Sequence, residues 1–94
     1  CYLRKDFVNP GIPKDKFVAI LKDSAPKAIS GHKIAKIKDY DGIEFVLDDG
    51  SWLLLRPSGT EPVIRVYAES SCIKSTNDII NWGNNMVKSL VKGS

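Results

Sequence analysis

After Pro13 the apolar residues Phe17, Ile20 and Leu21, followed by Ser24, recur at helical spacing, with Lys14, Asp15, Lys16, Lys22 and Asp23 on the other side. Proline suits the first turn of a helix, and Pro26 ends this one because it has no N–H to donate and crowds the turn before it. The spacing predicts a short amphipathic helix with one buried face. Beyond Lys33 the period falls to two. Lys33 to Asp39 reads as a strand, although Ile34, Ala35 and Ile37 alternate poorly. Asp41-Gly42 marks a tight turn, and Ile43, Phe45 and Leu47 then share one face of a second strand. Asp49-Gly50 marks another turn, Ser51 to Arg56 a third strand, and Val63 to Glu69 a fourth, in which Ile64, Val66 and Ala68 face one way. Ser75 or Thr76 can cap a final helix, Asp78 suits its first turn, and Ile79, Trp82, Met86 and Leu90 form its apolar stripe. The predicted fold is α+β, a four-stranded antiparallel sheet with flanking helices in the order α-β-β-β-β-α. Residues 1 to 12 are expected as an arm or linker, and residues 13–94 as the domain.

Composition narrows the functional classes. Hydrophobic residues at 43% and charged residues at 27% over 94 positions describe a globular chain and argue against disorder. No apolar run reaches the length of a membrane span, and Cys1 to Asp6 lacks the apolar centre of a signal peptide. With no initiating Met, the chain is expected to be a fragment. Cys1 and Cys72 lack zinc-type spacing and His32 is the sole histidine, so no metal site is expected and a reducing, cytoplasmic setting is. Residues 1 to 40 hold nine of the Lys and Arg residues against four acids, whereas residues 41 to 70 hold two against six. The lysines of the first part read as a solvated surface, because a nucleic-acid binder gathers its bases on one stripe with aromatics between them. Neither nucleic acid nor membrane is expected as a partner. Asp48-Asp49 reads as turn chemistry, His32 as an exposed loop histidine, and Trp52 and Trp82 as core. Cys72 has only Lys74 as an electropositive neighbour, weak grounds for a reactive thiol.

One segment departs from scaffolding. Arg56-Pro57-Ser58-Gly59-Thr60-Glu61-Pro62-Val63-Ile64-Arg65 gathers a guanidinium, two hydroxyls and a glycine between prolines. Arg56 can give a phosphate two parallel charge-assisted hydrogen bonds, and Ser58 and Thr60 can donate hydroxyl protons. Gly59 lets backbone N–H groups turn inward as an anion nest, and Arg65 can add a second positive charge from the strand. Pro-Ser-Gly-Thr is equally good turn chemistry, and Glu61 would repel a phosphate unless a cation such as Arg65 engages it. This is not a Walker loop, since no Gly-Lys-Ser/Thr opens a following helix.

The run from Asp49 to Glu69, centred on Arg56-x-Ser58-Gly59-Thr60 with Pro62 and Arg65 after it, resembles the phosphate-binding segment of the α-D-phosphohexomutases. That family includes phosphoglucomutase, phosphomannomutase and the hexosamine-phosphate mutases. The similarity extends more loosely from about Lys33 to Leu90, and residues 1 to 12 match nothing in it. The resemblance implies the C-terminal domain of a four-domain enzyme that interconverts hexose 1-phosphates and 6-phosphates by intramolecular phosphotransfer through a bisphosphate. It implies a TATA-binding-protein-like fold here, a phosphoserine and a magnesium ion in upstream domains of the same polypeptide, and sugar readers elsewhere. Arg56, Ser58, Gly59, Thr60 and, less firmly in the family, Arg65 would hold the substrate phosphate. No catalytic residue, metal or cofactor is then expected in this chain, which alone would be inactive. Two other readings stand beside it: a non-enzymatic anion-binding adaptor, and a small nucleic-acid-binding module.

Overall fold

The strands that alternate most regularly in sequence form the middle of a six-stranded antiparallel sheet, in the computed structural model that describes residues 1–58 and 60–92. The elements are β1 (Tyr2–Val8), α1 (Lys14–Asp23), β2 (Ala28–Ile29), β3 (His32–Lys38), β4 (Ile43–Leu47), β5 (Trp52–Pro57), β6 (Val63–Glu69) and α2 (Ile73–Lys92). They are arranged β1-β6-β5-β4-β3-β2 across the sheet. The α+β class holds, but six strands replace the four expected. The four read from the sequence correspond to β3 to β6.

The two additional strands lie at the edges. Residues 1 to 12, expected as an arm or linker, contain β1, which pairs with β6 from Tyr2 opposite Glu69 to Val8 opposite Val63. Its middle, Arg4-Lys5-Asp6, is exposed. Charge on an edge strand discourages pairing with other chains, and it also hides the apolar alternation that marks a strand. β2 is two residues long and pairs only with the start of β3.

The poor alternation of β3 has a local cause. Its register against β4 shifts between Ile34 and Lys36, so Ala35 is an extra residue. Ile34 opposes Leu47 and Ile37 opposes Phe45, which puts both isoleucines on the face of the buried β4 residues despite their odd spacing.

Ile43, Phe45, Leu53, Leu55, Ile64, Val66 and Ala68 are fully buried on that face. Phe17 and Leu21 of α1 and Ile79, Ile80 and Val87 of α2 join them in one core. The other sheet face carries no helix among the described residues. Trp52 lies there, half-buried and 6.4 Å from the Tyr2 ring, which is also 6.1 Å from the Tyr67 ring on the intervening strand β6. Trp52 is therefore not a core residue, whereas Trp82 does pack against the core. Strand parity explains the difference, since Trp52 is out of phase with Leu53 and Leu55.

Helix α2 begins at Ile73, before the expected Ser75 or Thr76 cap, so Asp78 lies beyond its first turn. Thr76 is fully buried inside the helix instead. Its hydroxyl is 2.9 Å from the Cys72 carbonyl and 3.2 Å from that of Cys1, and 2.7 Å from the Ser70 hydroxyl. That polar knot joins the start of α2 to the start of β1. No described helix is long and apolar enough to cross a membrane.

Candidate functional site

Strands β5 and β6 carry Arg56 and Arg65 directly opposite each other on the open sheet face. The connection between them is tight: the Ser58 N–H donates to the Val63 carbonyl at 2.8 Å, and the Val63 N–H to the Glu61 carbonyl at 2.7 Å. Pro57 fits because its missing N–H would have pointed toward β4, which starts only at Ile43, opposite Leu55. The Ser58 hydroxyl oxygen accepts from the Thr60 N–H at 3.3 Å and the Glu61 N–H at 3.2 Å. Its own proton remains available to donate, while two backbone N–H groups converge on the same point. Thr60 is exposed. Gly59 lies outside the described residues.

The two arginines differ in surroundings. Arg65 is the less exposed, with 28% of its side chain accessible, and its Nε is buried with no hydrogen-bond partner among the described residues. Its Nη2 lies 3.8 Å from Glu61 Oε2, a loose contact that gives this carboxylate a cation. On the other side of β6, Arg65 is opposite Asp6, whose carboxylate is 3.4 Å from Arg4 Nε. Arg56 is 42% exposed, and its Nε is 3.4 Å from Asp41 Oδ2. Asp41 also accepts a hydrogen bond from Lys14 of α1. That bond holds the Asp41 carboxyl below the ordinary carboxylate range, opposed by partial desolvation and assisted by the charge of Arg56.

Arg56, Ser58, Thr60 and Arg65 thus gather around one end of β5 and β6. Sequence reasoning missed Lys14, Asp41 and Gly42. Asp41-Gly42 was legible as a turn, but nothing local to it indicates that residue 42 lies against Arg56. A hollow of about 180 Å³ opens beside Arg56, lined by Lys38, Tyr40, Asp41, Gly42, Glu44 and Leu54. The loop is also tied to β1, since the Asn9 N–H donates to the Pro62 carbonyl at 2.8 Å. An apolar groove of about 220 Å³, formed by Leu21, Trp82, Met86 and Leu90 with two serines, has none of the arginines in its lining.

Two other groups read from the sequence are elsewhere. His32 begins β3 instead of sitting in a loop, with Nδ1 3.3 Å from Asp48 Oδ1 and Nε2 3.6 Å from Asp49 Oδ2. Donor atoms of the three lie within 4.8 Å of one another. One histidine with two exposed carboxylates is a poor match to magnesium, which prefers an all-oxygen octahedral shell. Asp49 is also engaged in the turn, its Oδ1 accepting from the Ser51 N–H at 3.0 Å and from the Ser51 hydroxyl. Cys72 is exposed, and its thiol is drawn down from the usual cysteine range, chiefly by hydrogen bonding with Ser75 and to a lesser extent by Lys74.

The sequence pattern of the family described as phosphoglucomutase/phosphomannomutase, C-terminal domain, matches residues 15–79. Among curated proteins, a phosphopentomutase of Thermococcus kodakarensis is 34% identical over 92 residues, covering 97% of this chain and 20% of the relative. A probable phosphoglucosamine mutase of Pyrococcus horikoshii is 34% identical over 90 residues, or 96% of this chain and 19% of the relative. A phosphomannomutase of Mycoplasma pneumoniae is 50% identical over 44 residues, covering 44% of this chain and 8% of the relative. The chain spans about a fifth of the length of the first two.

Proposed function

Because the chain belongs to the phosphoglucomutase/phosphomannomutase family, whose C-terminal domain it matches, we propose that it is the part of a sugar-phosphate mutase that grips a substrate phosphate. The observation that carries this reading is the pair of guanidiniums opposed across β5 and β6, one with a buried Nε that has no partner among the described residues. Like charges directly opposite on a sheet cost stability, and an anion between them removes that cost. Ser58 and Thr60 add hydroxyl donors.

Such a site reads the phosphate and leaves the sugar unread. That suits an enzyme that interconverts sugar 1-phosphates with their isomers by intramolecular phosphotransfer, because either end of a bisphosphate must be accepted in turn. Relatives named for pentose, glucosamine and mannose phosphates are in keeping with a clamp indifferent to the ring. The energy of gripping the remote phosphate is then available to orient the reacting end and exclude water. Phosphoryl transfer and its magnesium belong to other domains on this reading, so this chain alone is inactive. The His32, Asp48 and Asp49 group does not fit magnesium. The two free cysteines are in keeping with a cytoplasmic setting.

Amide-resolved NMR titration tests the assignment. Glucose 1-phosphate and glucose 6-phosphate should both shift the amides of Arg56, Ser58, Thr60 and Arg65, with a Kd near ~1 mM or weaker. Glucose should shift none of them. Arg56→Ala should weaken both phosphates about tenfold or more, the loss of a charged hydrogen bond worth ~1.5–3 kcal/mol. Equal binding by the variant and the parent chain would refute the clamp.

A further inference from the structure

Asp41 is an unexpected residue beside a phosphate site, and its position is built by two elements. The turn between β3 and β4 presses against β5 so closely that a Cβ on Gly42 would lie 2.5 Å from the Leu55 carbonyl oxygen and 2.9 Å from Arg56 Cα. Helix α1 holds the same turn through Lys22, whose Nζ is 2.8 Å from Asp39 Oδ2, and through the Lys14 hydrogen bond to Asp41. The Asp41 carboxylate therefore stands between two cations, Oδ1 on Lys14 and Oδ2 toward Arg56.

The contact with Arg56 is loose. At 3.4 Å through Nε it is no bidentate fork, and both partners are well exposed. An ion pair of this kind contributes little and exchanges readily with an incoming anion. A carboxylate that stayed in place would meet a phosphate at short range and repel it. Lys38 and Glu44, which also line the hollow beside Arg56, bring one charge of each sign and offset each other.

From this geometry we infer that Asp41 is the internal counter-ion of the phosphate site: held by Lys14, it engages Arg56 in the free domain, and an arriving phosphate takes the guanidinium from it. The inference rests on Arg56 being a phosphate ligand. Its consequence is that Arg56 is neutralised when empty and that binding is an exchange of one anion for another. Release is assisted in the same way, because the carboxylate returns to the cation as the phosphate leaves. A clamp that must let go of one end of a bisphosphate and take the other benefits from a grip weakened by a competitor.

The test uses inorganic phosphate, followed by the amide shifts of Arg56, Ser58, Thr60 and Arg65 at low ionic strength. Asp41→Asn keeps the turn chemistry, since Asn before Gly is as good a turn former as Asp. It should bind phosphate more tightly, by about 3-fold or more, the scale of a surface ion pair that no longer competes. Asp39→Asn removes the same charge from the same turn but frees Lys22 in place of Arg56, and should leave the affinity unchanged. Asp41→Ser should repeat the tightening of Asp41→Asn. Unchanged or weaker binding by both Asp41 variants overturns the inference, as does equal tightening by Asp39→Asn, which would mark a general charge effect. Arg56→Ala separates the two readings. If it abolishes binding while the Asp41 variants match the parent chain, the clamp stands and the counter-ion falls. Binding that ignores Arg56 removes both.

Discussion

Gly42→Ala is expected to destabilise the domain by about 2–6 kcal/mol and to weaken phosphate binding with it. Two independent penalties combine at this position. Its φ is +100°, a region that costs a residue with a Cβ ~1–3 kcal/mol. The Cβ would also lie 2.5 Å from the Leu55 carbonyl oxygen and 2.9 Å from Arg56 Cα, and both atoms belong to the backbone of a central strand that cannot rotate aside. Overpacking of that kind typically costs a further ~1–3 kcal/mol. Gly50→Ala is the matched control, because Gly50 has φ +88° but nothing within 4 Å of a Cβ. It should lose only the conformational part. Urea denaturation measures both: the midpoint of Gly42→Ala should fall well below that of Gly50→Ala with similar slopes. Equal losses in the two variants would show that the turn does not press on β5.

Gly83→Leu should be nearly as harmful, for a purely steric reason. Gly83 is buried in α2 where the helix crosses β5 and β6, and a Cβ there would meet Leu53 Cδ1 at 2.8 Å and Val66 Cγ1 at 3.0 Å. The absent side chain is what lets helix and sheet approach. A leucine would have to displace both neighbours from a filled core, at a cost of about 3 kcal/mol. For a domain of this size that lowers the melting temperature by roughly 12–24 °C. Gly83→Ala should behave differently. The clash is with side-chain ends that can yield a little, and alanine gains about 1 kcal/mol in helix propensity over glycine. Its stability is expected within ~1 kcal/mol of the parent chain. A melting temperature for Gly83→Leu equal to that of Gly83→Ala would contradict the close helix–sheet contact.

What could be read from the sequence follows the range of the interactions concerned. Phe45, Leu53, Leu55, Ile64 and Val66 alternate strictly because a half-buried strand must, and the turns at Gly42 and Gly50 carry their own chemistry. β1 was missed because its partner is β6, at the other end of the chain, and because Lys5 interrupts the apolar pair Leu3 and Phe7. The bulge at Ala35 was visible only as irregularity. At the site, Arg56, Ser58, Thr60 and Arg65 are close in sequence and could be grouped. Asp41 could not, since its relation to Arg56 exists only once β4 is in register with β5 and α1 has brought Lys14 across.

The pairing of β1 with β6 gives the domain the character of a receptor that carries its own ligand. Val8 and Val63 are partners although about 55 residues separate them, whereas β3 through β6 are joined by short turns. Severed at Asn9, the meander would retain all its hairpins and expose the backbone edge of β6, to which the detached strand is complementary along its length. Covalent connection then amounts to a high effective concentration of that strand, at the mercy of a closure entropy that grows slowly with loop length. Because Asn9 also donates to the Pro62 carbonyl, occupancy of this docking edge and the rigidity of the connection between β5 and β6 are linked. Whatever draws the first strand away would slacken one side of that connection.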